Sequence, residues 1–172
     1  TLDNKRLVSE KTNTEYRKEF GQIGMTLNEN LSWNEWIEVY KKIIYWDLEM
    51  GKAHDKGMIE VLKMQKSDAN TQFFKFVEKN YINWLNGKDA NPPTMSHTLV
   101  KNKFIPELEK NENVFLIVID NLRFDQWKTI QPIIQDYYKV ESEDVYISIL
   151  PTATQYARNA LFSGLMPSKK KK

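Results

Sequence analysis

Two side chains stand where chemistry could be done, Asp120 and Thr154. Asp120 ends Val114–Ile119, read Val-Phe-Leu-Ile-Val-Ile, an apolar run without alternation that predicts a strand buried on both faces. Its carboxylate is therefore expected at the carboxyl edge of a sheet, where open α/β folds leave a crevice for ligands. Downstream, Asp144–Pro151 reads as a second strand and Thr152–Gly164 as a turn into a short helix, which puts Thr154 on the same rim. A hydroxyl at a helix N terminus can attack phosphorus while the unpaired N–H groups and the helix dipole stabilise phosphoryl oxygens. A carboxylate beside it can hold Zn²⁺, which lowers the pKa of the hydroxyl and withdraws charge from the transition state. A plainer reading stands next to this one: Asp120 caps the following helix, and Thr154 caps its own.

The elements that must position these residues begin at a boundary. Gly87-Lys-Asp-Ala-Asn-Pro-Pro93 combines a helix stop, two prolines and polar residues, and separates two architectures, residues 1–87 and 88–172. In the second, Ser96–Lys110 carries a mixed helical pattern interrupted at Pro106, and the buried strand to Asp120 follows. Arg123–Gln135 is expected to be helical, packing Leu122, Trp127 and Ile130 on the sheet, and Val140 with Val145–Leu150 supplies more extended chain. Strand, helix, strand, helix in this order predicts a parallel βαβ unit.

The first part reads as three helices. Thr1–Phe20 is weakly periodic, with Leu7, Tyr16, Phe20 and Ile23 as inward positions and Gly21 and Gly24 marking its end. Ser32-Trp-Asn-Glu35 is a capping box, with Leu31 and Trp36 placed as its hydrophobic staple. Trp33, Trp36, Ile37, Tyr40, Ile43, Ile44 and Leu48 then keep helical spacing to Gly51, which is expected to end the helix. A long third helix runs from about Lys56 toward Gly87, about 45 Å at about 1.5 Å per residue. Short loops between three such helices predict a bundle, with Trp33, Trp36, Trp46 and Trp84 filling its core. His54 has no second histidine at ligand spacing, so a polar turn explains it better than a metal.

Composition narrows the class. The chain of 172 residues, 41% of them apolar, can bury a core, and no apolar run approaches a membrane span. With no cysteine there is neither a disulfide framework nor a thiolate metal site, and a cytoplasmic protein is the simplest expectation. The net charge of +2 comes from Lys169–Lys172; without those four, 21 basic residues face 23 acidic ones, so no nucleic-acid face is read from it.

The residues around both candidates resemble a known family. Val-Ile-Asp-Asn-Leu-Arg-Phe-Asp-Gln-Trp at 118–127 and Leu-Pro-Thr-Ala-Thr-Gln-Tyr-Ala-Arg-Asn-Ala-Leu-Phe-Ser-Gly-Leu-Met-Pro at 150–167 are similar to the opening of the PglZ domain, a branch of the alkaline phosphatase superfamily. The whole chain resembles the middle of PglZ-bearing response regulators of the Bacteroidetes type IX secretion system, in which a receiver, a three-helix bundle and a PglZ domain follow one another. The resemblance implies an all-α three-helix bundle followed by the first part of an α/β, alkaline-phosphatase-like domain. It implies that Asp120 binds zinc and that Thr154 is the nucleophile and also a metal ligand; it assigns no role to Arg123 and Arg158, which could both contact phosphate, while Arg123 could equally pair with Asp125 or face solvent.

Two zinc ions are expected in the complete domain, with remaining ligands outside this chain, since its only histidines, His54 and His97, precede the core strand. The chain alone is therefore expected to be an incomplete, inactive site. The resemblance further implies a receiver in cis, a nucleotide or oligonucleotide substrate, and room for a homodimer of the parent. A rival function is a non-catalytic relay, the bundle passing a receiver's state to a sigma factor or secretion-motor protein. Asp120 as the phosphorylated aspartate of a receiver is excluded, because no earlier strand carries an acidic pair, and no Gly-rich phosphate loop follows either strand.

Overall fold

The computed structural model describes residues 2–28, 30–53, 55–110 and 112–169. The chain divides into two compact units, Thr1–Asp89 and Ala90–Lys172. His54 lies outside the described residues, as do the side chains of the first turns, Leu7 among them.

The first unit is a three-helix bundle of α1 (Leu2–Thr26), α2 (Trp33–Ala53) and α3 (Lys56–Leu85). The capping box forms as read: the Ser32 N–H donates to Glu35 Oε2 at 2.7 Å and the Glu35 N–H to Ser32 Oγ at 3.3 Å. The Ser32 hydroxyl, donating to Glu35 Oε2 at 2.6 Å, and then the Ser32 N–H hold the Glu35 carboxyl below its usual range. Asp55 caps α3, its Oδ1 accepting the Met58 N–H at 3.1 Å, while its Oδ2 accepts from Asn13 Nδ2 of α1 at 2.6 Å.

The expected end of α1 at Gly21 and Gly24 is corrected, since the helix runs through both glycines to Thr26. Ile23, between them, is 2% exposed in the core of Tyr16, Trp46, Met50, Met58 and Leu62. Burying that side chain, worth about 1.5–3 kcal/mol, offsets the roughly 2 kcal/mol that the two helical glycines cost together. Gly51 likewise sits inside α2, whereas Gly87 lies beyond α3 at φ +64°, where a left-handed residue suits a helix exit. Trp36, Trp46 and Trp84 are buried, and Trp36 packs on Phe73 and Phe76 of α3 with ring centres 5.2 and 5.9 Å apart. Trp33 is half-buried and Tyr40 remains 41% exposed.

In the second unit α4 (Ser96–Leu99) passes through a π turn (Val100–Phe104) into α5 (Ile105–Lys110); α6 spans Phe124–Gln135 and α7 Thr154–Ser163. Pro106 does not interrupt the run, because it directly follows the π turn, where the Ile105 N–H bonds to Val100 O and the widened turn accommodates a residue without an N–H. The predicted strands are not formed among the described residues. The one pairing is a single parallel bridge between Met95 and Ile147, made by Ser96 N–H to Ile147 O at 3.1 Å and Ile147 N–H to Thr94 O at 2.9 Å. Val114–Ile119 has no ladder partner, and Phe115 and Ile117 are 88% and 81% exposed. Its composition suits a doubly covered strand, but a strand needs neighbours for its N–H and C=O groups, and no described segment supplies them.

Candidate functional site

Asp120 is delivered by a tight turn. The Leu122 N–H returns to Ile119 O at 3.4 Å, and Asn121 takes φ +59°, a left-handed conformation that asparagine tolerates better than most residues. The next residue, Arg123, opens α6. Its guanidinium is held by Asp125 in a two-point contact, Nε to Oδ1 at 3.0 Å and Nη2 to Oδ2 at 2.8 Å, which keeps the Asp125 carboxyl below its usual range. Of the alternatives read from the sequence, Arg123 adopts the pairing with Asp125.

Thr154 is delivered by the best-buried part of the unit. Ile149 is fully buried, and its N–H donates to Ser96 Oγ at 3.1 Å, which fixes residues 147–149 beside 94–96. A cis Leu150–Pro151 peptide follows, then α7, whose Ala160 and Leu161 are buried. Gly164 closes α7 at φ +65°, its N–H bonded to Ala160 O. The N-cap, expected at Thr154, is Ala153, and Thr154 is the first helical residue. Of the Gln155, Tyr156 and Ala157 N–H groups, which a cap at Thr154 would turn toward its hydroxyl, those of Tyr156 and Ala157 are bonded to Ala153 O at 2.9 and 3.0 Å. The tightened first turn consumes them, which leaves Gln155 as the remaining donor of the three.

What joins the two residues is Arg158, four positions after Thr154 and so on the same face of α7. Its Nη1 lies 3.6 Å from Asp120 Oδ2, with both side chains about half exposed. Long helical side chains lean toward the helix N terminus, so this pair holds Asp120 on the Thr154 side of α7. Tyr146 also borders Asp120; burial raises its phenol pKa, and the negative charge of Asp120 raises it further. Neither contact was read from the sequence. Arg158 had a signal, its i+4 spacing from Thr154, but Tyr146 had none, because its place depends on how the 144–151 segment crosses the turn.

Asp120 and Thr154 offer a carboxylate and a hydroxyl oxygen, donors a zinc ion accepts. Among the described residues no group of three or more His, Cys, Asp or Glu side chains gathers. His97 lies on α4 beside the end of α7, its carbonyl 3.7 Å from where a Cβ on Gly164 would stand.

Residues 99–172 match the BREX system PglZ alkaline phosphatase-like domain. Residues 6–85, the three-helix bundle, match the PorX response regulator linker domain. In this order the two matches make the chain part of a PorX-like response regulator. A response-regulator linker implies a receiver domain in the same polypeptide. No curated protein matches the chain. None of the described helices is long and apolar enough to cross a membrane.

Proposed function

We propose that Asp120 and Thr154 are one half of a zinc-dependent phosphodiesterase site in a cytoplasmic response regulator that controls type IX secretion and acts on nucleotides or oligonucleotides. The observation that carries the reading is the Asp120–Arg158 pair, which holds a carboxylate on the Thr154 face of α7 inside the alkaline-phosphatase-like region. Asp120 and Thr154 would hold the metal. Bound zinc supplies Lewis acidity, drawing charge from the phosphoryl group and favouring the ionised hydroxyl. Thr154 Oγ1, its proton given up to solvent, would form a bond to phosphorus as the bond to the leaving ester oxygen breaks; that oxygen leaves as the alcohol with a proton from solvent, and water later cleaves the Thr154 ester, returning the hydroxyl and releasing the phosphate product. The Gln155 N–H and the N-terminal dipole of α7 favour the negative charge held there.

The test is zinc stoichiometry in the parent response regulator. Asp120→Ala is expected to lose at least one zinc by elemental analysis, since an anionic ligand is removed. Unchanged zinc content would take Asp120 out of the site.

A second reading is favoured by the match of residues 6–85 to a response-regulator linker. In it the bundle relays the state of the receiver to a sigma factor or a secretion-motor protein, with or without hydrolysis.

A further inference from the structure

We infer that Arg158 is the counter-ion of Asp120 in the metal-free protein and competes with the metal for that carboxylate. This rests on the reading of Asp120 as a ligand and adds a residue to which no role is otherwise attached. The geometry is that of a displaceable partner. Arg158 approaches through one atom pair, Nη1 to Oδ2 at 3.6 Å, longer than a hydrogen bond and unlike the two-point grip of Arg123 on Asp125 at 3.0 and 2.8 Å. Both side chains are about half exposed, so water can replace either partner at small cost.

Two facts give the pair its consequence. First, Arg158 stands one turn from Thr154 on the same face, so its positive charge lies in the neighbourhood a dication would enter. Second, among the described residues Arg158 is the cation paired with Asp120, while Arg123, the other arginine near the turn, grips Asp125. A dication arriving at Asp120 meets like-charge repulsion from Arg158 and takes over its partner. Arg158 is thus a positioning residue that sets metal affinity: it holds Asp120 against α7 before loading, and is released by loading.

Zinc alone, titrated against a chromophoric chelator in the parent response regulator, tests this. Removing one unit of positive charge from beside a dication in a half-exposed site is worth on the order of tenfold in affinity. Arg158→Gln is therefore expected to bind zinc roughly tenfold more tightly, Arg158→Lys to stay near wild type, and the gain in Arg158→Gln to shrink as salt rises. Zinc affinity unchanged or weakened in Arg158→Gln overturns the inference, as does a gain that ignores salt. Asp120→Asn separates the two levels. If it weakens zinc while Arg158→Gln does nothing, only the competition fails; if it leaves zinc binding intact, or if no variant binds zinc, the reading of Asp120 as a ligand fails and takes this inference with it.

Discussion

Replacing Tyr16 with phenylalanine should remove most of the bundle's loss of stability at high pH. Tyr16 is fully buried, packs at a tilt against Trp46 with ring centres 5.3 Å apart, and donates its hydroxyl to Gln65 Oε1 at 3.1 Å, while Gln65 Nε2 donates to Phe20 O at 2.9 Å. This polar link ties α1 to α3 through the apolar core. Burial pushes the phenol from 10.0 up to about 12. The folded state favours the neutral phenol, so the contribution is complete below pH 10, where the unfolded chain begins to ionise, and is lost as pH rises toward about 12. A shift of this size is worth roughly 2–3 kcal/mol across that window. At neutral pH, Tyr16→Phe leaves Gln65 Oε1 buried without its donor, which costs about 1–3 kcal/mol. Urea unfolding followed by tryptophan fluorescence, at several pH values from 8 to 12, measures both effects. The variant should start less stable and fall less steeply above pH 10, the lysines titrating alike in both proteins. Parallel curves for wild type and Tyr16→Phe would refute the burial argument.

Other expectations follow from single contacts. Ser32→Ala breaks the reciprocal cap of α2 and should lower stability by about 1 kcal/mol in the same assay. Asp55→Asn keeps a capping oxygen but removes a titration: the Met58 N–H holds the carboxyl low, so its contribution is present above the ordinary aspartate pKa and fades as pH falls through the lowered one. The acid limb of stability should flatten in that variant. Gly164→Ala should cost about 1–2 kcal/mol from its left-handed φ of +65° alone, because the nearest atom to the new Cβ, His97 O, is 3.7 Å away and does not clash.

How much of this was legible in the sequence varied with how local the cause was. The box at Ser32 and Glu35 and the buried Trp36, Trp46 and Trp84 depend on neighbours within a turn or two, and they fold as read, whereas Trp33 is only half-buried. Gly21 and Gly24 misled, because helix propensity is a local preference and Ile23 is held by a tertiary core. Val114–Ile119 misled in the other direction. Its pattern describes what a strand needs on both faces, while pairing depends on which segments come alongside, and Met95 with Ile147 is the one bridge described. At the site, Asp120 and Thr154 were marked by chain position. The cap fell one residue earlier than expected, at Ala153, because the first turn of α7 closes on its carbonyl. Arg158 and Tyr146 meet Asp120 only once the turn at Asn121 and α7 are brought together, which no spacing encodes.

The central claim is that Thr154 is the nucleophile, and the most direct measurement compares two threonines. Thr152 precedes Thr154 by two residues and lies exposed before the helix begins, whereas Thr154 is half-buried in its first turn. In the parent response regulator, phosphodiesterase activity on an oligonucleotide should disappear in Thr154→Ala and persist in Thr152→Ala. Both variants should keep wild-type helicity by circular dichroism, since neither residue caps α7. Activity that survives Thr154→Ala and is lost in Thr152→Ala would reverse the assignment, and activity that survives in both would contradict a threonine nucleophile altogether.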